Sequence, residues 1–116
     1  MTVVLILSFM AVAALGQVKP GKPELPRSVV FVCEHGNVKS LIAREWFNRL
    51  AASRGLDLRA LSRGVTPEKS VPAAIADALR RDGFDVGGFE PRAFSAADAT
   101  GAARVVGIGV DLSSAG

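Results

Sequence analysis

Residues 29–32 form an unbroken run of β-branched and aromatic side chains, Val29-Val30-Phe31-Val32, which stops at Cys33. A strand with one wetted face alternates apolar and polar residues. This run does not alternate, so both faces are covered, as for an inner strand of a parallel sheet. Parallel strands need a crossover between them, and the next segment supplies one. From Ser40 onward Ile42, Trp46 and Leu50 recur every fourth residue beside Ala43, Phe47 and Ala51, with Arg44, Glu45, Asn48 and Arg49 between them. The period predicts an amphipathic helix with Trp46 and Phe47 in the buried stripe and Gly55 closing its C-terminus.

The same logic extends along the chain. Leu58 to Leu61 reads as a short second strand. Ser70 is placed as the N-cap of a second helix with Pro72 in its first turn; Val71, Ile75, Ala78 and Leu79 form its stripe, and Gly83 ends it with Phe84 folded back over the cap. A short strand is expected near Ala93. Ser95-Ala96-Ala97-Asp98 has the form of a capping box opening a third helix, and Val105 to Val110 is a last apolar strand. Strands alternating with helices predict an α/β fold of three layers, a parallel four-stranded sheet flanked by helices. At 116 residues the chain has room for one such domain, assigned to residues 28–116.

Residues 1–18 carry no charge, and small residues follow the apolar run Val3 to Leu7. They read as a signal peptide over residues 1–16 with Gly16 last, which implies an exported, periplasmic protein. Basic residues, however, follow the run (Lys19, Lys22, Arg27) and none precedes it. That asymmetry supports the alternative of an uncleaved anchor with the domain on the cytoplasmic side, and a membrane is a partner only if the segment is retained. Residues 17–27, rich in proline, are a linker.

Net charge is +3, but the basic residues are interspersed with acidic ones, as in Arg80-Arg81-Asp82, and there is no tyrosine. Nothing here forms the basic stripe with aromatics that nucleic acid requires, so no nucleic-acid partner is expected. A single cysteine excludes an internal disulfide and argues against a structural metal site; no metal and no cofactor are expected. Cys33 is either a buried filler or a reactive thiol.

Its surroundings favour reactivity. In folds of this class ligands bind beyond the carboxyl ends of the strands, and Cys33-Glu34-His35-Gly36-Asn37-Val38-Lys39-Ser40 is the connection located there. Consecutive backbone N–H groups of Glu34, His35, Gly36, Asn37, Val38 and Lys39 are placed to wrap an oxyanion, with the positive end of the helix behind them. That field also favours a thiolate. Lys39 adds a cation, Gly36 permits close backbone approach, Asn37 tolerates the left-handed conformation of a tight reversal, and Ser40 is placed to donate to the thiolate while capping the helix. His35, the only histidine, reads as a solvated loop residue or as a donor steadying the loop. Arg63 and Arg92 read as surface residues near the rim.

Strand, cysteine, five residues, a cation, serine and helix together resemble the low-molecular-weight protein tyrosine phosphatase and arsenate reductase superfamily. The resemblance is specific from Val29 to about Leu50 and rests on element order out to Asp111. It implies the phosphotyrosine protein phosphatase I-like fold and a cysteine that attacks phosphorus or arsenic, hence a phosphate, an arsenate-like oxyanion or a phosphorylated substrate as partner. Cys33 matches the nucleophile and Ser40 the thiolate-stabilising serine, while the Cys-x-His start resembles the arsenate reductase branch. Lys39 stands where the family has arginine, so charge is kept and the planar two-oxygen grip is not. Asp111, the only carboxylate after the last strand, is the candidate for the family's general acid. With Cys33 alone, an arsenate reductase would depend on an external thiol. A phosphatase, such a reductase and a non-catalytic oxyanion binder all remain open.

Overall fold

The computed structural model describes residues 27–113; the expected signal peptide and most of the linker lie outside them. Three strands, β1 (Ser28–Cys33), β2 (Arg59–Gly64) and β3 (Arg104–Gly107), and three helices, α1 (Lys39–Ser53), α2 (Ala73–Arg81) and α3 (Ala96–Gly101), alternate along the chain. The sheet order is β2-β1-β3, with β1 parallel to both neighbours; Val30 pairs with Leu61 on one side and Val105 on the other. The unbroken apolar run is thus the central strand, and Val30 and Val32 are buried. Ala93, where a fourth strand was expected, makes a single parallel bridge to Gly64. Pro91 and the glycines at 87 and 88 remove a donor and side chains that a longer ladder needs.

Two side chains of β2 fix the layers. Ser62 bonds Ser40 of α1, and the next residue, Arg63, bonds Asp98 of α3. Consecutive strand residues point to opposite faces, so α1 and α3 cover opposite faces of the sheet. This is the three-layer α/β arrangement read from the sequence. α2 packs outside α1, where Leu41, Leu79, Phe84 and Val86 form a core cluster with Ile75 and Phe89 against it.

Several local expectations shift. α2 begins at Ala73 with Pro72 as its N-cap, so Ser70 lies before the helix. Ser95 does cap α3, with Asp98 returning the bond in a full capping box. Trp46 is 40% exposed and Leu50 48%, so the stripe of α1 is only partly core. The Trp46 ring instead packs edge-on against Phe84, while the Arg49 guanidinium lies over both rings. Arg63 is not a surface residue: its side chain and that of Asp98 retain only 17% and 15% of their exposure in a 3.0 Å ion pair. Burial alone would raise the Asp98 pKa, but bonds from Arg63 and Ser95 and the Arg63 charge hold it below the ordinary carboxylate value.

Candidate active site

Cys33 ends the central strand and α1 begins at Lys39, so residues 34–38 must reverse the chain in five steps. The reversal is braced from outside. The carbonyls of Cys33, Glu34 and His35 accept from the N–H groups of Val65, Thr66 and Glu68, and the carbonyl of Gly36 accepts from the Ser62 hydroxyl. With four consecutive carbonyls turned toward residues 62–68, the loop's N–H groups are left facing its interior. The Ser40 N–H donates to the sulfur of Cys33 at 3.4 Å, and those of Gly36 and Val38 also favour its thiolate.

Gly36 takes φ +66°, and a Cβ there would lie 2.8 Å from the Gly64 nitrogen. The glycine is therefore required by the neighbouring strand as well as by the turn. Asn37 does not take the left-handed conformation expected of it; among the described residues only glycines have positive φ. It is a buried staple instead: its side-chain amide donates to Glu68 Oε2 at 3.1 Å and to the Ser70 carbonyl at 3.0 Å. His35 is exposed, with Nδ1 3.2 Å from the Thr66 carbonyl and 3.7 Å from Glu68 Oε1. Both side chains tie the cysteine loop to residues 66–70.

The thiol of Cys33 is buried, with Ser40 Oγ at 3.0 Å and the Ser40 N–H at 3.4 Å. Ser40 does not cap α1, whose N-cap is Val38 and receives no side-chain bond. Its hydroxyl belongs to a buried chain that continues 2.7 Å on to Ser62 Oγ. Each hydroxyl has one proton to give. When Cys33 is ionised, Ser40 donates to sulfur and Ser62 donates to Ser40; when it is protonated, the chain can reverse and end on the Gly36 carbonyl. Burial pushes the thiol pKa up, but the Ser40 hydroxyl and the N–H groups of Ser40, Gly36 and Val38 outweigh it, leaving the pKa below the ordinary value of 9.0.

A cavity of about 260 Å³ opens over this sulfur, lined by Cys33, Glu34, His35, Asn37, Val38 and Lys39. The uncapped start of α1 leaves its N–H groups free for a ligand. Lys39 is exposed, pairs with no carboxylate among the described residues, and lies near Gly109, where an added Cβ would meet Nζ at 3.4 Å. Asp111 sits beyond β3, fully exposed and outside that lining. Its carboxylate accepts from the Ser113 side chain and backbone N–H, the latter at 2.9 Å, and both bonds lower its pKa.

Sequence reasoning did not find Ser62, Glu68 or Ser70. The alternation of small residues Ala60, Ser62 and Gly64 along β2 was the available signal, since a loop can approach a strand closely only over small side chains.

The cysteine loop thus brings together a thiol held toward ionisation, a cation at the cavity and an uncapped helix start. Solved structures share this fold. A low-molecular-weight protein tyrosine phosphatase from T. tengcongensis superposes with a TM-score of 0.63 at 26% identity, covering 69% of this chain and 56% of its own. YfkJ from Bacillus subtilis gives a TM-score of 0.64 at 27% identity, covering 75% of this chain and 57% of its own. The chain therefore spans a little over half the length of either. No curated protein matched significantly. The family model for low molecular weight phosphotyrosine protein phosphatase matches residues 28–110, most of the chain and all of the loop just described, and the protein belongs to that family.

Proposed function

We propose that the protein is a cysteine-dependent phosphomonoesterase acting on phosphotyrosine-like substrates, with residues 33–40 as the phosphate loop. One observation carries this reading: the Cys33 sulfur is buried beneath a cavity while three backbone N–H groups and the Ser40 hydroxyl lower its pKa. In the proposed reaction Sγ attacks phosphorus, an S–P bond forms and the P–O bond to the leaving group breaks. A phenolate departs with that electron pair and takes a proton from water. Water then attacks the thiophosphate, and the S–P bond breaks to return the thiolate and inorganic phosphate. Inward N–H groups and Lys39 neutralise the oxygens throughout.

Lys39 also supports a second reading, a family member that binds oxyanions without turnover, because an ammonium holds one oxygen where a guanidinium holds two. Steady-state hydrolysis of an aryl phosphate by the wild type and Cys33→Ser separates them. Phosphate release that vanishes in Cys33→Ser is the expected result. Phosphate binding without release from either version would establish the binding reading, and arsenite formed from arsenate only with added thiol would assign reductase chemistry.

A further inference from the structure

The end of the sheet opposite the cysteine loop has its own surface chemistry. Two cavities of about 330 and 170 Å³ adjoin there, sharing Leu56. Arg27, Arg54 and Arg59 line them, and Asp57 is their only carboxylate among the described residues. Asp57 pairs with Arg27 at 3.6 Å with both side chains mostly exposed, so it offsets one positive charge of three. Leu50 and Leu56 stand 48% and 50% exposed between these arginines. Arg104 opens β3 at the same end, opposite Val29 in the ladder.

We propose that this face docks on an anionic lipid surface, with the phosphate loop held at the far end of β1. Exposed arginines around protruding leucines match the interfacial region of a bilayer, where cations meet lipid phosphates and apolar side chains enter the acyl boundary. Nucleic acid would leave those leucines without an apolar partner. Chain connectivity supports the assignment: residues 1–26 precede Arg27 of this face in sequence, the first 18 carry no charge, and Lys19 and Lys22 outnumber Glu24 in the stretch that follows. The six residues of β1, at about 3.3 Å each, keep Cys33 roughly 17 Å from the docking face, so the loop is presented to soluble substrates and not to lipid headgroups.

Flotation of the full-length chain with vesicles of phosphatidylcholine, alone or mixed with phosphatidylglycerol, tests this. An uncharged apolar segment partitions into both alike, so any anionic preference reports the basic residues. Wild type is expected to favour the anionic vesicles by about tenfold or more, and added salt to erode the difference. Arg54→Glu with Arg59→Glu should abolish the preference while leaving neutral-vesicle binding and aryl phosphate hydrolysis unchanged. Arg54→Gln with Arg59→Gln removes the charges without reversing them and should show an intermediate loss, which keeps the test valid if the reversal compromises folding. Absence of preference in the wild type overturns the proposal, as does its full survival in both variants, which would assign it to Lys19 and Lys22. A DNA duplex that displaces the chain from the anionic vesicles would reassign the face to nucleic acid.

Discussion

Gly36 and Gly64 touch backbone to backbone: a Cβ on Gly36 would lie 2.8 Å from the Gly64 nitrogen, and one on Gly64 would lie 2.7 Å from the Gly36 nitrogen. The cysteine loop rests on the end of β2 with no side chain between them. Gly36→Ala adds the cost of φ +66° to that collision and is expected to destabilise the domain by about 3 kcal/mol. Gly64→Ala carries the collision alone. Chemical denaturation of the two variants should rank them in that order.

The hydroxyl chain yields a prediction about acidity. Ser40→Ala removes the side-chain donor to the Cys33 thiolate, so the thiol pKa should rise toward 9.0, its ordinary value. Turnover at neutral pH should fall about tenfold or more and recover in part at higher pH. Ultraviolet titration of the thiolate reads the shift directly. Because folding depresses the Cys33 pKa, ionisation adds stability that is fully present above the unfolded value and is lost as pH falls through the folded one. Cys33→Ser should abolish that part of the pH dependence.

Lys39→Arg restores a planar grip on two oxygens at a position already facing the cavity. Its kcat is expected to rise by about tenfold or more, whereas Lys39→Met should depress both kcat and phosphate affinity. An arginine variant no faster than wild type would mean that the ammonium already meets the geometric demand.

Asp111 is fully exposed, and its bonds to Ser113 favour the ionised form. An acid that donates at neutral pH needs the opposite shift. Asp111→Asn should therefore change kcat by less than about threefold, measured with a leaving group that requires protonation. A loss of about a hundredfold would restore it as the acid.

The Arg63–Asp98 pair joins β2 to α3 with little exposure. Arg63→Ala leaves a partly buried carboxylate with only its Ser95 bonds and should cost about 1 to 2 kcal/mol. Since folding depresses the Asp98 pKa, its contribution is complete above the ordinary value of 3.8 and is lost as pH falls through the folded value. Acid unfolding of the wild type compared with Asp98→Asn checks the sign.

How far the sequence disclosed this molecule depended on whether the cause was local. The covered strand, the cysteine loop and the start of α1 were legible because strand propensity, period and loop composition act over a few residues. The capping box at Ser95 was legible for the same reason. Asn37 was read by its backbone tolerance, but its role is set by Glu68 and Ser70, about thirty residues away, which no local rule reaches. Ser40 was expected to cap a helix because serine often does; burial against Ser62 drew its hydroxyl inward. The period of α1 marked Trp46 as core, yet it could not show that α2 leaves that edge open to Arg49. Arg63 looked like surface because its partner lies across a crossover.

The Asn37 staple also bears on how a ligand arrives. With its amide fixed to residues 68 and 70 and the carbonyls of Cys33, Glu34 and His35 satisfied from residues 65–68, the cradle is ordered by folding and not by its guest. An incoming oxyanion displaces water but does not have to freeze a wandering loop, so little entropy is lost on capture. Association should then follow the collision rate, scale with solvent viscosity and show no slow closing phase, and the lifetime of the complex should reside in dissociation alone.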